Sequence, residues 1–400
     1  MERVEVAIER DEALYAKQQV VRLQALLEAG RRIHSTIALD QVLKTVLDIV
    51  VRELELSGAF FTHFPHTCGN VPEDFSYEEA VESGVASERD HWTHFPLRDK
   101  LGVPFSDLVV IRHTGRTLSF DELDFLESIA VQSAAAIENA RFHERTVRWQ
   151  RLESDLASAR LVQRSLLPQE MPPIAGYALA MRSVTCYAVG GDYLDIVPMP
   201  SGETMIVVAD VAGKGLASAL VSTSFRSALR AMVNSGVPLV EIATRMNLLH
   251  YNEGEESRRR YVTAFFLQLD PATDTMQIVN AGHNPAFLVS GDVSSGTAQL
   301  AVQKIKASGT PVGMLPFSTY SVEKYALPAG ARLLLYTDGL TEVFRGDEEF
   351  GEARLLQSFL DCNSDSSDCV LDSLWSTLQD FTDEQEQSDD MTALVLLRQG

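Results

Sequence analysis

Residues 204–211, TMIVVADV, decide how the second half of this chain is read. Five consecutive apolar residues, 205–209, lead to one acid, Asp210. The run is short for a buried helix and suits a strand covered on both faces. The pattern recurs. Residues 331–339, ARLLLYTDG, carry an apolar run to Asp338, and residues 388–397, SDDMTALVLL, set Asp389 and Asp390 directly before another. Residues 189–196, VGGDYLDI, place Asp192 after a glycine pair at a strand start.

A single acid at a strand tip is a cap or a turn residue. Four that converge repel one another and lose hydration, a cost that a divalent cation removes. Carboxylate and carbonyl donors without His or Cys suit Mg²⁺ or Mn²⁺ rather than Zn²⁺. Gly191, Gly213 and Gly339 then have a purpose: they allow left-handed φ and close backbone approach to the ions. Two ions about 3.5–4 Å apart can bridge a hydroxide and aim it for in-line attack on a phosphoester. Asp192, Asp210, Asp338 and Asp389 are the candidate catalytic acids. The competing reading is four unrelated surface acids.

Outward from these stretches, residues 173–400 read as short strands interrupted by helices near 214–235, 238–250, 352–360 and 368–380, an α+β pattern. Residues 361–369 and 383–390 read as acidic, Ser-rich loops. Upstream, LLPQEMPPIAG (residues 166–176) ends a stretch that has no Pro or Gly as far as Leu167. Its second half spaces Leu152, Leu156, Ala159 and Leu166 in fours and threes, with Gln163 interrupting, which predicts a dimeric coiled-coil connector. The alternative is one amphipathic helix lying on its own domain. Ser119 and Glu122 read as a capping box for this helix and Asp40 as the N-cap of an earlier one over QVLKTVLDIVVREL. Residues 4–30 read as an N-terminal helix. GAFFTHF and DLVVIRH read as strands, and residues 65–105 as otherwise polar and irregular.

The chain has 400 residues, 34 basic against 56 acidic, for a net charge of −22. That field argues against nucleic acid and anionic membrane surfaces as partners. No apolar run approaches the roughly 18 residues of a membrane span, and the charged N-terminus does not read as a signal peptide, so a cytoplasmic location is expected. Cys68, Cys186, Cys362 and Cys369 form no CxxC pair and no Cys-x5-Arg phosphate loop. AGKGLAS imitates the tail of a nucleotide-binding loop, but Val208 and Gly215 stand where that loop needs Gly and Ser or Thr.

The ordered set VGGDYLDI, VADVAGKGLASAL, NAGHNP, SGTPVG, YTDGLTE and SDDMT resembles the PPM family of metal-dependent Ser/Thr protein phosphatases, and more closely its SpoIIE/RsbU-type bacterial branch. The resemblance covers roughly residues 173–398. It implies an α-β-β-α sandwich, two Mn²⁺ or Mg²⁺ ions and a metal-activated water. Asp210 would bridge both ions, the Val211 carbonyl would ligate one, Asp338 and Asp389 would complete the pair, and Asp192 would sit at or near a metal. Asp390 is a ligand or a supporting group; the sequence leaves the choice open. His283 in NAGHNP, with Asn280 and Asn284, is either a proton donor or a structural turn residue. The branch's usual substrate, a phosphorylated STAS-domain anti-anti-sigma factor, is the implied partner. Residues 30–145 resemble a GAF sensor domain with a reduced core, at HSTIALDQVLKTVLDIVVREL and TLSFDELDFLESIAVQSAAAIENARF. The implied organisation is an N-terminal helix (1–29), a GAF-like α/β domain (30–145), a coiled-coil linker or regulatory helix (146–172) and a phosphatase domain (173–400). Two other readings compete: a catalytically silent interaction protein docking through its coiled coil, and a phosphohydrolase of small molecules.

Overall fold

A computed structural model describes residues 20–21, 23–71, 91–168, 170–255, 259–291, 301–362, 364–382 and 387–399. Most of the helix expected over residues 4–30 lies outside them, as does 383–386 of the acidic loop. The chain divides into two compact units, residues 1–153 and 154–400.

In the first unit, α1 (Leu39–Glu53) buries Val42, Leu43, Val46, Leu47, Ile49 and Val50 along one face, the helical spacing read from the sequence. Asp40 is not its N-cap. The helix starts one residue earlier, behind Ala38, and Asp40 turns outward to Lys44 and His66, each at 2.6 Å. Four antiparallel strands follow: β1 (Gly58–Phe61), β2 (Thr67–Gly69), β3 (Trp92–Arg98) and β4 (Pro104–Ile111), in the order β2-β1-β4-β3. β2 and β3 fall where the sequence reads as irregular. β3 hides because it is an edge strand carrying Pro96, which donates no ladder bond.

The long helix α2 (Phe120–Leu166) is one uninterrupted element. Its start is the expected capping box: Ser119 N donates to Glu122 Oε2 at 2.8 Å and Glu122 N donates to Ser119 Oγ at 3.3 Å. Nine residues of its first half, from Phe125 to Ala140, are buried, most of them in the apolar core of the first unit.

The second unit is built on two five-stranded antiparallel sheets. One holds β6 (Tyr193–Pro198), β7 (Thr204–Val211), β8 (Val262–Asp270), β9 (Thr275–Ala281) and β12 (Glu323–Ala326), in the order β12-β9-β8-β7-β6. The other holds β5 (Tyr177–Val184), β10 (Ala286–Ser290), β11 (Ala301–Ile305), β13 (Arg332–Tyr336) and β16 (Met391–Arg398), in the order β11-β10-β13-β16-β5. β14 (Phe344–Arg345) and β15 (Glu348–Glu349) form a small separate hairpin. The sequence leaves β11 and β12 unmarked because both are edge strands with half-exposed, charged residues such as Lys304 and Lys324.

Period-two alternation builds the layers. Ile206 and Val208 of β7 meet Leu333, Leu335, Leu394 and Leu396 of the other sheet in the central core. Met205, Val207, Ala209 and Val211 face the other way, onto α3 (Leu216–Val233) and α4 (Leu239–Asn252). Leu334, Tyr336, Val395 and Leu397 pack beneath α5 (Gly351–Asp361) and α6 (Ser367–Thr382). The unit is therefore a helix–sheet–sheet–helix sandwich. Among the described residues no helix is long and apolar enough to cross a membrane.

Candidate active site

The same alternation carries the acids to the central layer. Even-numbered residues of β7 face the other sheet, so Asp210 continues the row of Ile206 and Val208. Leu194 and Ile196 of β6 put Asp192 on that face, and Leu394 and Leu396 of β16 put Thr392 and Asp390 there. β13 stops at Tyr336, short of the expected Asp338; Thr337 points to the inter-sheet face and Asp338 opens a one-turn 3₁₀ helix, Asp338–Leu340.

Thr337 ties the sheets at this end. Its hydroxyl donates to Asp192 Oδ2 at 2.8 Å and accepts from Thr392 N at 3.0 Å. Asp390 is fully engaged by backbone: Cys186 N donates to Oδ1 at 2.8 Å and Gly191 N to Oδ2 at 2.7 Å. Its carboxylate is a strut between β16 and the glycine pair. Asp389 faces Lys214, whose Nζ lies 2.8 Å from Oδ2.

The glycines are required by proximity. A methyl on Gly339 would stand 1.9 Å from the Asp390 carbonyl oxygen, and one on Gly190 would stand 2.5 Å from Asp390 Oδ2. A methyl on Gly191 would fill the space beside the Val211 carbonyl oxygen (3.1 Å) and Asp210 Oδ1 (3.5 Å).

Burial and mutual repulsion push the acids toward the protonated form. Asp210 rises to about 7, first through burial and then through Asp338, Asp389 and Asp390. Asp192 is held well above its usual range by burial and Asp210. Asp338 rises through burial and Asp389, with Lys214 opposing. Glu342, carried on the same turn as Asp338, also rises, by burial and then by Asp338.

This donor set fits a hard divalent cation: carboxylates that repel one another, the Val211 carbonyl oxygen at the end of β7 and, beside it, a space at Gly191 kept clear of side chain. Among the described residues, however, no three His, Cys, Asp or Glu side chains stand close enough together to hold a metal ion. Hydrogen bonds from Thr337, Lys214 and the backbone hold three of the acids instead.

His283 follows β9 and meets Thr263, the residue that pairs with Asp210 across β7 and β8. It is buried, its Nδ1 is 2.9 Å from Thr263 Oγ1, and burial pushes its pKa down to about 4. Asn280 Oδ1 accepts from His283 N at 2.8 Å, and Asn280 O accepts from Ser308 N and Gly309 N, joining NAGHNP to the SGTPVG loop. Asn284 O accepts from Asn280 Nδ2 at 3.3 Å. Gly213 has φ 98° where β7 turns toward α3.

Three residues carry little signal in the sequence. Gln163 reads as an interruption of an apolar stripe, but its amide grips Gly190. Lys214 lies in the AGKGLAS stretch, which imitates a nucleotide-binding loop. Asp195 is fully buried on the helix side of β6, bound by Arg230 at 2.6 and 2.7 Å and by the Tyr193 hydroxyl at 2.6 Å. Its only sequence signal was an acid out of phase in a strand.

The sandwich is that of PP2C-type domains: the SiaA-PP2C domain of Pseudomonas aeruginosa superposes with a TM-score of 0.53 at 20% identity, covering 63% of this chain and 99% of that one. The family described as "Stage II sporulation protein E (SpoIIE)" matches residues 200–399, half of the chain, and the chain belongs to that family. It is similar to the phosphoserine phosphatase RsbU of Bacillus subtilis, at 26% identity over 286 residues, 70% of this chain and 80% of RsbU. It is also similar to Protein IcfG of Synechocystis sp., at 26% identity over 270 residues and 61% of this chain; the chain spans 41% of IcfG's length.

Proposed function

We propose that the chain is a divalent-cation-dependent protein phosphatase acting on phosphoserine or phosphothreonine. The observation that carries this is the gathering of Asp192, Asp210, Asp338 and Asp389 from four separate segments at one end of the inter-sheet layer, where Asp210 is raised to about 7. Two Mn²⁺ or Mg²⁺ ions would be held by Asp210, the Val211 carbonyl, Asp338 and Asp389, with Asp192 beside them. When bound, they polarise the phosphoryl group and acidify water. The chain's own residues set the frame. Asp390 fixes the Gly190–Gly191 backbone, Thr337 orients Asp192, and Asn280 and His283 brace the turn beneath the Asp210 strand. His283, buried and shifted toward neutrality, suits that bracing role better than proton donation.

The substrate class rests on the likeness to RsbU, named a phosphoserine phosphatase. The partner of choice is a phosphorylated STAS-domain regulator. A GAF-like first unit would control the site through α2, which from its middle onward exposes Phe142 (72%), Trp149 (70%) and Leu152, a stripe that suits pairing with a second copy.

The test is hydrolysis of a phosphoserine STAS protein with and without Mn²⁺. Turnover that depends on Mn²⁺, stops with EDTA and is lost in Asp210→Ala and Asp338→Ala supports the assignment. Turnover indifferent to EDTA contradicts it.

A further inference from the structure

Lys214 has no task in the assignment above, and the inference drawn from it rests on that assignment. The residue stands between two glycines in the left-handed region, Gly213 at φ 98° and Gly215 at φ 79°, in the turn that leaves β7 and enters α3. This backbone lifts the side chain over the acid cluster. Nζ donates to Asp389 Oδ2 at 2.8 Å and to the Ser388 carbonyl at 2.7 Å. The lysine side chain is 46% exposed and the aspartate 33%, so the pair lies at the rim of the site, open to solvent. Its charge also reaches inward, opposing the upward shift of Asp338 and Glu342.

Two facts conflict. Asp389 is one of the carboxylates a cation would use, yet one of its oxygens is taken by Lys214. A phosphomonoester brings negative charge to a place already lined by five acids, Asp192, Asp210, Asp338, Asp389 and Glu342. Two arginines of α3 are engaged elsewhere, Arg230 with Asp195 and Arg226 Nε with the Leu166 carbonyl, and Arg260 lies against Gly213, the residue before Lys214. We propose that Lys214 has two successive partners: Asp389 until a divalent cation claims that carboxylate, then a phosphoryl oxygen of the substrate. The lysine thus competes with the cation and afterwards helps position the phosphate. A primary ammonium on a four-carbon stem can make that exchange by rotation alone.

The experiment pairs two readouts on the full chain. Mn²⁺ affinity is measured by calorimetry, and KM and kcat are measured with p-nitrophenyl phosphate at saturating Mn²⁺, for wild type, Lys214→Gln, Lys214→Arg and Arg260→Gln. Arg260 is the control for a general loss of charge: its guanidinium lies against Gly213, and no described ion pair joins it to Asp389. Lys214→Gln should bind Mn²⁺ roughly threefold or more tighter, while its KM rises about tenfold and kcat changes much less. Lys214→Arg should keep KM near wild type, and Arg260→Gln should leave Mn²⁺ affinity unchanged. Unchanged or weaker Mn²⁺ binding in Lys214→Gln, an unchanged KM, or equal tightening in Arg260→Gln overturns the proposal. A wild-type chain that turns over no phosphoester at any Mn²⁺ concentration instead defeats the phosphatase assignment, before any variant is compared.

Discussion

Gln163 and Gly190 exchange two hydrogen bonds: Gln163 Nε2 donates to the Gly190 carbonyl at 2.7 Å, and Gly190 N donates to Gln163 Oε1 at 3.0 Å. This exchange fastens the last turns of α2 to the backbone that precedes Gly191 and Asp192, and Arg226 of α3 adds a bond from Nε to the Leu166 carbonyl at 3.0 Å. Any displacement of this end of α2 therefore pulls on the glycine pair that Asp390 holds from the other side.

Gln163→Ala removes both bonds and leaves the N–H and carbonyl of buried Gly190 without that partner. A loss of about 1–2 kcal/mol in stability is expected, together with a fall in cation affinity. Gln163→Glu keeps the acceptor for Gly190 N and loses the donor, so it should fall between wild type and Ala. Thermal melting with and without Mn²⁺ checks both. A melting temperature and cation affinity equal to wild type in Gln163→Ala would show that the contact carries no load.

Gly191 and Gly339 should fail differently. Alanine at 339 collides with the Asp390 backbone, which has no rotamer to yield, so the 3₁₀ turn or β16 must move. A destabilisation of about 3 kcal/mol or more is expected. Alanine at 191 meets the Val211 carbonyl and Asp210 at ordinary to tight distances, so the fold should survive while the space beside those two oxygens closes. Cation affinity should then drop about tenfold or more with little change in unfolding free energy. Chemical denaturation and calorimetry on the two variants separate these outcomes; a reversed order would contradict the placement of Gly191 at the cation site.

The raised carboxyls predict a pH dependence of unusual sign. Asp210 stands at about 7 in the fold against an ordinary 3.8, so between those values the folded chain keeps a proton that the unfolded chain has released. Stability should then fall as pH rises through that window, by roughly 2–4 kcal/mol for a buried group. With EDTA present, the melting temperature of the second unit should drop by about 5 °C or more between pH 5 and pH 7.5. Millimolar Mn²⁺ should cancel the drop by binding the deprotonated acids, and Asp210→Asn should flatten it. A melting temperature that rises over this range with EDTA present would contradict the shared burial of these acids.

Much of the second unit is legible in its sequence because both faces of its central strands are buried. TMIVVADV, ARLLLYTD and MTALVLL read as strands from apolar content alone, and alternation puts Asp210 and Asp390 on the inter-sheet face, whereas Asp338 is placed by the 3₁₀ turn that follows β13. What the sequence hides is set by edges and by distance along the chain. β3 and β12 are edge strands, where polar residues and even Pro96 are tolerated. The choice between Asp389 and Asp390 depends on backbone donors more than 190 residues away, at Cys186 and Gly191. Nothing near residue 390 announces that its carboxylate is engaged while its neighbour faces a lysine. Gln163 is misread for the same reason: its partner is 27 residues on, beyond a chain reversal. Asp40 shows the local limit, since an acid in a first helical turn is easily mistaken for the cap one step before it.

The central claim is that Asp210 and the neighbouring acids form one cation pocket. Titration of the full chain with Mn²⁺ by isothermal calorimetry at pH 7.5 tests it most directly. The account predicts saturable binding of two ions per chain, abolished or reduced by Asp210→Ala, with Asp195→Asn, on the opposite face of β6, binding as wild type does. Binding by Asp210→Ala indistinguishable from that of the unaltered chain, or no binding at millimolar Mn²⁺, would contradict it.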